Sequence, residues 1–534
     1  MFDNSNVKKE INDKLNYCIS LIKKQYLFDD KNIPWLVGYS GGKDSTVTAQ
    51  LVFRALLELK KSHKPLRRKV YIFSSDTMIE NPLVKEIIEE NINLINQSAV
   101  ASNLPLEALI LKPDISKTFW VNIIGRGYPT PNTMFRWCTD RLKIEPANNF
   151  VHKCIDKNGE VIMVLGVREG ESNTRDRVLE KHSIEGQQLM KHTTLNNAYV
   201  FPPIKTLDVM DVFTYLGAYE SPWGSNNKKL VFFYEESGAG DCPIFVSEED
   251  KKSGNSCGNS RLGCWVCTVV SKDKSLSGFI QTGFYDFLIP LLKFRNWITS
   301  IRDDDEYRCH YRNNGSIYTK KAIIKEDKNG KYISIPKKGA RDKIDIRLDK
   351  NLNPISEEYY VVELDKLSLY MRQNNLTFKS PELSKILLKD RITSELFRLG
   401  TGPFTDGAKK EIFKKLIKTE AELNHKVKMP LTLITDLEIV EIKKLWDKQG
   451  MDTSFIDTVL SENGRKSVEI YRDAFEEINI KYRSKLNSIL KKHGLDYEIV
   501  NKLVQSEKEL VLKENRKEIQ DVISSVFNAD KSNY

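Results

Sequence analysis

Long apolar runs are missing from this 534-residue chain. None approaches the roughly 18 residues of a membrane-crossing helix, so a membrane-embedded architecture is not expected. The opening Met1-Phe2-Asp3-Asn4-Ser5 lacks the basic and apolar segments of a secretory leader, and the expectation is a cytoplasmic protein. Cysteine is scarce, at 8 residues. That is too sparse for a disulfide scaffold, and clustering in a reducing compartment favours metal or sulfur chemistry. Neither sign of charge dominates: 83 basic residues face 73 acidic ones, a net charge of +10. So modest an excess permits a polyanionic partner without requiring one. Internal repeats and low-complexity tracts are absent. A Walker loop is absent as well, because that motif follows its Gly-Lys with Ser or Thr, and here Asp44 follows Lys43.

What is present instead is Gly38-Tyr39-Ser40-Gly41-Gly42-Lys43-Asp44-Ser45. The apolar Trp35-Leu36-Val37 leads into it. Val47, Leu51, Val52, Ala55, Leu56 and Leu59 then recur at helical spacing. The pattern predicts a loop between a buried strand and a helix N-terminus. Paired glycines let backbone approach an anion there, and free N–H groups point at it. Ser40 and Ser45 add hydroxyls and Lys43 a mobile positive charge. Ser40, Gly41, Gly42, Lys43, Asp44 and Ser45 are therefore candidate anion-binding residues. The string Ser-Gly-Gly-Lys-Asp-Ser resembles the PP-loop of ATP pyrophosphatases, which cleave ATP between its α and β phosphates. The resemblance implies that these residues bind ATP, with Lys43 neutralising departing pyrophosphate and Asp44 holding Mg²⁺ or orienting the loop.

Further buried strands are expected at 69–77, 108–111 and 161–166, with a helix from Glu80-Asn81-Pro82 onward. Asp156-Lys157-Asn158-Gly159 reads as a hairpin or strand-entry turn. Alternating strands and helices predict an α/β fold with a doubly wound, mostly parallel sheet, which binds ligands at the carboxyl ends of its strands. The loop, Asp76 and Gly166-Val167-Arg168 all fall at such ends. Asp76 reads either as a nucleoside or metal contact or as a helix N-cap. Arg168 and Arg175 read as phosphate clamps, Arg175 equally as a surface ion pair. His182 and His192 are either proton donors or structural. Short strands are expected over 305–365, with Asp327-Lys328-Asn329-Gly330 as a hairpin turn. Beyond about 380 the pattern is helical and charged, and Glu438, Ile439, Ile442 and Leu445-Trp446 form a core stripe. The basic runs at 60–69, Lys320-Lys321 and Lys337-Lys338 read first as solvated faces.

Cys264 and Cys267 form a C-x-x-C pair, with Cys257 seven residues upstream. Thiolates so close can chelate one soft centre. A fourth ligand would come from Cys138 or Cys242. Zinc and an iron–sulfur cluster both suit four thiolates, and spacing alone does not separate them. Cys18, Cys154 and Cys309 stand apart and read as buried small hydrophobes.

Several segments together resemble a known superfamily. Arg136-Trp137-Cys138-Thr139, Asp76-Thr77, and Gly166-Val167-Arg168 with Glu171-Ser172 and Arg175 are similar to signatures of phosphoadenosine phosphosulfate (PAPS) reductases. The stretch Ser256–Arg261 with Gly263-Cys264-Trp265-Val266-Cys267, and Gly402-Pro403-Phe404-Thr405, resemble the DndC-type sulfurtransferases of DNA phosphorothioation. The resemblance implies an adenine nucleotide alpha hydrolase-like fold with a Cys-rich insertion and a mainly helical C-terminal region. It divides the chain into a PP-loop domain over 1–220, the insertion over 221–300, a small strand-rich segment over 301–375 and a charged helical region over 376–534. It implies ATP-dependent replacement of a non-bridging DNA phosphate oxygen by sulfur. The implied cofactors are ATP, Mg²⁺ and a 4Fe-4S cluster on Cys138, Cys257, Cys264 and Cys267, with zinc the alternative. The implied partners are DNA, a cysteine desulfurase as sulfur donor and companion DNA-modification proteins. Lys43, Asp44, Arg168 and Arg175 would be catalytic. A tRNA-thiolating enzyme and a non-enzymatic nucleotide-binding scaffold are the other readings.

Overall fold

The computed structural model describes residues 4–28, 31–169, 188–192, 194–236, 263–312, 314–336, 343–356, 358–427 and 429–468. The calls on Arg175, His182, Cys242, Cys257 and Lys337-Lys338 lie outside them. Among the described residues no helix is long and apolar enough to cross a membrane.

The first half builds a six-stranded sheet in the order β3-β2-β1-β4-β6-β5. Its strands are β1 (Trp35–Gly38), β2 (Val70–Ser75), β3 (Leu106–Leu111), β4 (Val161–Val164), β5 (Met190–Lys191) and β6 (Ala198–Phe201). All neighbours are parallel except the β5–β6 pair at one edge. The register sets Trp35 between Val70 and Ile162. Strands this apolar are what a sheet buried on both faces requires. Trp35, Val37, Ile162 and Val164 pack into one core, while Leu36, Val161 and Met163 pack into another on the opposite face. The two-residue alternation of a strand makes that division.

Helices α1 (Asn4–Tyr26), α2 (Lys43–Lys61) and α3 (Pro82–Ala101) are followed by α4 (Glu145–Asn158). Asn158-Gly159 is therefore not a hairpin turn. Gly159, at φ +81°, is the left-handed residue that stops α4 just before β4. The same Asn-Gly pair serves either purpose, and the helical stretch preceding it decides. Asp76 is not a helix cap either: α3 is capped by Asn81, whose Oδ1 accepts from the Leu83 N–H at 3.0 Å, with Pro82 opening the helix. Arg68, inside a basic run read as solvated, is buried, and its Nε donates to the Tyr26 carbonyl at 2.8 Å.

Farther along are α5 (Val209–Ala218), α6 (Asn227–Glu236), α7 (Lys274–Gln281) and α8 (Ile289–Ile301). Strands β8 (Ile324–Asp327) and β9 (Gly330–Pro336) form the expected hairpin, Asp327 pairing with Gly330, and β10 (Lys343–Arg347) extends it. Beyond 380 the chain is not helical at once. β12 (Ile386–Lys389) and β13 (Leu396–Leu399) join β7 (Thr319–Lys321) and β11 (Tyr360–Glu363) in a four-stranded sheet. Helices α10 (Asp406–Asn424), α11 (Asp436–Lys448) and α12 (Ser454–Glu462) follow, with α9 (Leu367–Gln373) preceding β12.

These helices are anchored on the first half by indole donors. Trp120 Nε1 donates to the Leu433 carbonyl at 2.7 Å, and Trp446 Nε1 to the Ile124 carbonyl at 2.8 Å. Ile439, Ile442 and Trp446 are fully buried, as the stripe predicted. Glu438 does not belong to the apolar core as such: it closes a capping box with Thr435 at the start of α11.

Candidate functional site

Sheet topology creates the site. From β1 the chain winds outward through β2 to β3, then crosses back to place β4 on the other side of β1. The carboxyl ends of β1 and β4 therefore bound a switch-point crevice. Into it run the loop after β1 and Gly166-Val167-Arg168 after β4.

Gly41 adopts φ +73°, a conformation that costs glycine little. The loop that it turns ends at Gly42, the N-cap of α2, and no side chain caps that helix. Ser45 is used within the loop instead: its Oγ accepts the Ser40 N–H at 3.1 Å and donates to the Gly42 carbonyl at 3.0 Å, with Ser40 Oγ also 3.1 Å away. The first turn of α2 thus presents main-chain N–H groups and the positive end of its dipole to the crevice. One of these is engaged, since the Lys43 N–H donates to Tyr234 Oη at 3.2 Å. Tyr234, on α6, also sets its ring 5.3 Å from Lys43 Nζ, with the Phe213 ring at 6.0 Å. Sequence reasoning missed Tyr234, because nothing local to α6 signals a partner 191 residues away.

Arg168 donates from Nε to Asp44 Oδ1 at 2.5 Å, and Lys43 Nζ lies 3.6 Å from Asp44 Oδ2. Both partners of the arginine pair are largely buried. Three charged groups named from sequence thus meet, but Arg168 holds a carboxylate here rather than standing free as an anion clamp. Gly166 explains the close fit. A Cβ there would lie 2.8 Å from both the carbonyl carbon and oxygen of Asp44. Gly166→Ala is expected to push the α2 N-terminus off β4, costing about 1–3 kcal/mol of stability, which thermal melting checks.

Asp76 follows β2, the strand beside β1, and its Oδ1 accepts the Met78 N–H at 2.7 Å. Glu438 of α11 is near enough for the Asp76 charge to act on it. Burial pushes the Glu438 carboxyl above the usual range, and Asp76 adds to this.

A second group of side chains adjoins Asp76-Thr77. Thr77 Oγ1 lies 3.4 Å from Cys264 Sγ and donates to Glu80 Oε1 at 2.9 Å. Backbone fixes this contact: Glu80 pairs with Cys264 as an antiparallel bridge, the Trp265 N–H reaches the Ile79 carbonyl at 3.1 Å, and the Asn81 N–H the Gly263 carbonyl at 3.3 Å. A tight turn closes the C-x-x-C segment, the Cys267 N–H donating to the Cys264 carbonyl at 3.1 Å. Cys267 acts electrostatically on both Cys264 and Cys138, so three of the four nominated thiols share one neighbourhood. Burial pushes the Cys264 and Cys138 thiols up. Lys143, delivered by the π-helical turn Asp140–Ile144, lies 3.5 Å from Glu80 Oε1. Burial opposes its ammonium, but Cys264 and Glu80 outweigh that and push its pKa up. Lys143 and Glu80 were not foreseen; only the proximity of Lys143 to Arg136-Trp137-Cys138 could have suggested it.

The donor chemistry of this neighbourhood suits a soft metal centre. Among the described residues, however, no three His, Cys, Asp or Glu donors converge as the ligands of an ion do. Cys18, Cys154 and Cys309 are buried and apart, as expected, and burial pushes Cys18 and Cys154 up to about 11.

Comparison with known proteins adds the following. Residues 34–270 match the model of the phosphoadenosine phosphosulfate reductase domain. The uncharacterized protein MJ0066 of Methanocaldococcus jannaschii is 25% identical over 239 residues, which are 44% of this chain and 41% of that protein. The chain therefore matches less than half of that relative's length. PAPS reductase from Candida auris is similar at 12% identity, covering 43% of this chain and 93% of that one with a TM-score of 0.26. NAD⁺ synthetase from Burkholderia pseudomallei is similar at 12% identity, covering 46% and 88% with a TM-score of 0.26. FMN adenylyltransferase from Candida glabrata is similar at 14% identity, covering 39% and 57% with a TM-score of 0.25. The segment that carries both the nucleotide-type loop and the C-x-x-C pair is thus similar, over residues 34–270, to the phosphoadenosine phosphosulfate reductase domain.

Proposed function

We propose that the protein is an ATP-dependent sulfurtransferase that activates a DNA backbone phosphate by adenylation and installs sulfur there. The observation that carries the reading is the adjacency of two chemistries at the carboxyl ends of two neighbouring strands. The anion-binding loop follows β1, and Thr77, just past the neighbouring β2, touches Cys264. Nucleotide activation and sulfur handling are the two halves of such a reaction.

In this reading the α2 N-terminus and the Ser40 and Ser45 hydroxyls receive the β and γ phosphates. The incoming phosphate takes the Lys43 N–H from Tyr234. Lys43 follows the charge onto departing pyrophosphate. Arg168 turns from Asp44 to phosphate, and Asp44 is the residue that would hold Mg²⁺, which prefers oxygen ligands and would offset phosphate charge there. A non-bridging DNA phosphate oxygen attacks the α-phosphorus of ATP, forming a P–O bond and releasing pyrophosphate. A cysteine desulfurase supplies the sulfur as a persulfide, a thiol reductant releases it as hydrosulfide and is itself oxidised to a disulfide, and the hydrosulfide then forms a P–S bond at the DNA phosphorus. The bond to the adenylate oxygen breaks, and AMP leaves with its electron pair, carrying the original oxygen. Asp76 borders the nucleoside or metal end of this crevice, and Arg175 is assigned a second phosphate contact.

Cys138, Cys264 and Cys267, with Cys257, are the residues that would hold a 4Fe-4S cluster. Cys138, Cys264 and Cys267 share one neighbourhood, and a set of four thiolates is the donor chemistry that such a cluster takes. Bound there, the cluster would supply a sulfur-handling centre beside the activated phosphate. Companion DNA-modification proteins would present the target.

The test is anaerobic purification followed by three measurements. The expected protein is brown, contains iron and sulfide in a four-to-four ratio and converts ATP to AMP and pyrophosphate. DNA from cells containing it carries phosphorothioate by mass spectrometry. Colourless protein with stoichiometric zinc would remove the cluster, and sulfur confined to tRNA would replace DNA by tRNA as the substrate.

A further inference from the structure

The geometry points to a duplex-DNA backbone site in the cleft between the loop at 131–135 and the strands β7, β8 and β13, outside the nucleotide crevice. This rests on the DNA reading above and says where on this chain the duplex lies.

The cleft has a volume of about 560 Å³. Its charged lining is Arg302, Lys320, Lys321, Lys325 and Arg398 against Asp303 and Asp305. Internal pairing consumes part of that charge. Arg302 Nη2 lies 2.7 Å from Asp303 Oδ2, Arg398 pairs with Asp305, and Lys321 pairs with Glu395 outside the lining. Lys320 and Lys325 remain: both are exposed and neither has an ion pair among the described residues, while Lys320 Nζ lies 5.7 Å from the Tyr318 ring and its charge acts on Asp305. A cleft whose acids are already neutralised by fixed arginines, and whose free charge is two lysines, is complementary to a phosphate backbone. Its rims carry apolar tips as well, Met134 at 96% exposure and Ile323 at 75%. Met134 is held out by a built turn, in which Asn132 Oδ1 accepts the N–H groups of Met134 and Phe135 at 2.9 and 2.8 Å. Apolar tips beside basic residues are a composition that sugar and base edges satisfy.

The cleft wall is stitched to the thiol neighbourhood. Arg302 Nη1 donates to the carbonyls of Thr268 at 2.8 Å and Pro131 at 3.3 Å. Thr268 Oγ1 donates to Pro131 O at 2.6 Å. Thr268 follows Cys267, whose own carbonyl accepts from Arg295 Nε at 2.9 Å. On the other side Met134 precedes Cys138 by four residues. A backbone lying in the cleft is thereby led toward the thiols by a wall that the same hydrogen bonds hold rigid.

The experiment measures binding of the full anaerobic chain to a fluorescent 20-base-pair duplex across a salt series. The wild type is expected to bind with an affinity that falls steeply with salt. Lys320→Glu with Lys325→Glu is expected to weaken binding at least tenfold and to reduce the log–log salt slope by about 2, one for each lost phosphate contact. Lys320→Gln with Lys325→Gln gives the same slope change with a smaller loss of affinity. The same reversal at the exposed Lys153 and Lys157 of α4, outside the cleft, has a smaller effect and leaves the slope in place. An equal loss from the α4 pair, an unchanged slope in the cleft pair, or tRNA outcompeting the duplex at equal phosphate would overturn the inference. Failure of the DNA reading is scored apart, by phosphorothioate in cellular DNA. Phosphorothioate retained with an unchanged slope sinks the cleft alone, and its absence despite cleft-dependent binding sinks the sulfur chemistry alone.

Discussion

Lys43→Ala is expected to slow pyrophosphate release from ATP by about 100- to 1,000-fold, equivalent to about 2.7–4 kcal/mol at the transition state. The lysine opens α2 where its ammonium can reach the crevice, and its side chain is only 12% exposed. Two aromatic rings and Asp44 hold the ammonium, so it is already ordered before a nucleotide arrives. A charge positioned in advance is worth more as negative charge builds on the leaving group, because nothing has to reorganise. The loss should fall mainly on kcat. The main-chain amides that grip phosphate are untouched by the substitution, so the KM for ATP should move much less. Folding should be little affected, since the loop conformation is set by Gly41 and the Ser40–Ser45 contacts. Steady-state assay of AMP and pyrophosphate, with a melting curve alongside, makes the test. If ATP turnover persisted at the wild-type rate, Lys43 would lose its assigned role on departing pyrophosphate.

The sequence exposed this site unevenly, and the reasons are physical. The loop was legible because its function is local: glycines, hydroxyls and a lysine must be contiguous to wrap one anion between a strand and a helix. The parallel sheet was legible because strands buried on both faces must be apolar, as β1 and β4 are throughout and β2 is up to its polar Ser74-Ser75 end. Arg168 was found as a charged residue past a strand end, but its pairing with Asp44 joins residues 124 apart and leaves no local trace. Asn158-Gly159 left two readings open because a left-handed glycine ends helices and turns hairpins with the same dipeptide; the strand-entry reading holds, since β4 begins at Val161. β12 and β13 were read as part of a helical region because each contributes only four residues, too few for a two-residue alternation to stand out from charged helices. Arg68 shows the limit of counting charge: a run of cations says nothing about which member turns inward to a carbonyl. The roles of Glu80, Thr77 and Lys143 escaped notice because they arise through Cys264, a residue distant in sequence that the fold brings to them.

Cys264→Ser is expected to abolish the visible absorption of the anaerobic protein, to strip most of its iron and sulfide, and to reduce DNA phosphorothioate to background. Among the described thiols Cys264 has the most constrained setting. Its backbone is paired to Glu80, its sulfur lies against Thr77, and its segment is closed by the Cys267 turn. A serine there keeps the backbone but offers a hard oxygen where a soft sulfur ligand is required. It also leaves Lys143 facing a neutral hydroxyl. The necessary control is a thiol that burial alone explains. Cys309 is 2% exposed and stands away from this neighbourhood, with its N–H donating to the Pro403 carbonyl at 2.8 Å. Cys309→Ser should cost stability by burying a hydroxyl, roughly 1–3 kcal/mol, while leaving iron per chain unchanged. The contrast separates ligation from packing, because both variants make the same atomic change, at a partly buried thiol in Cys264 and at a fully buried one in Cys309. Equal loss of iron in the two variants would mean that metal content tracks general stability, and wild-type iron in Cys264→Ser would remove this residue from the ligand set.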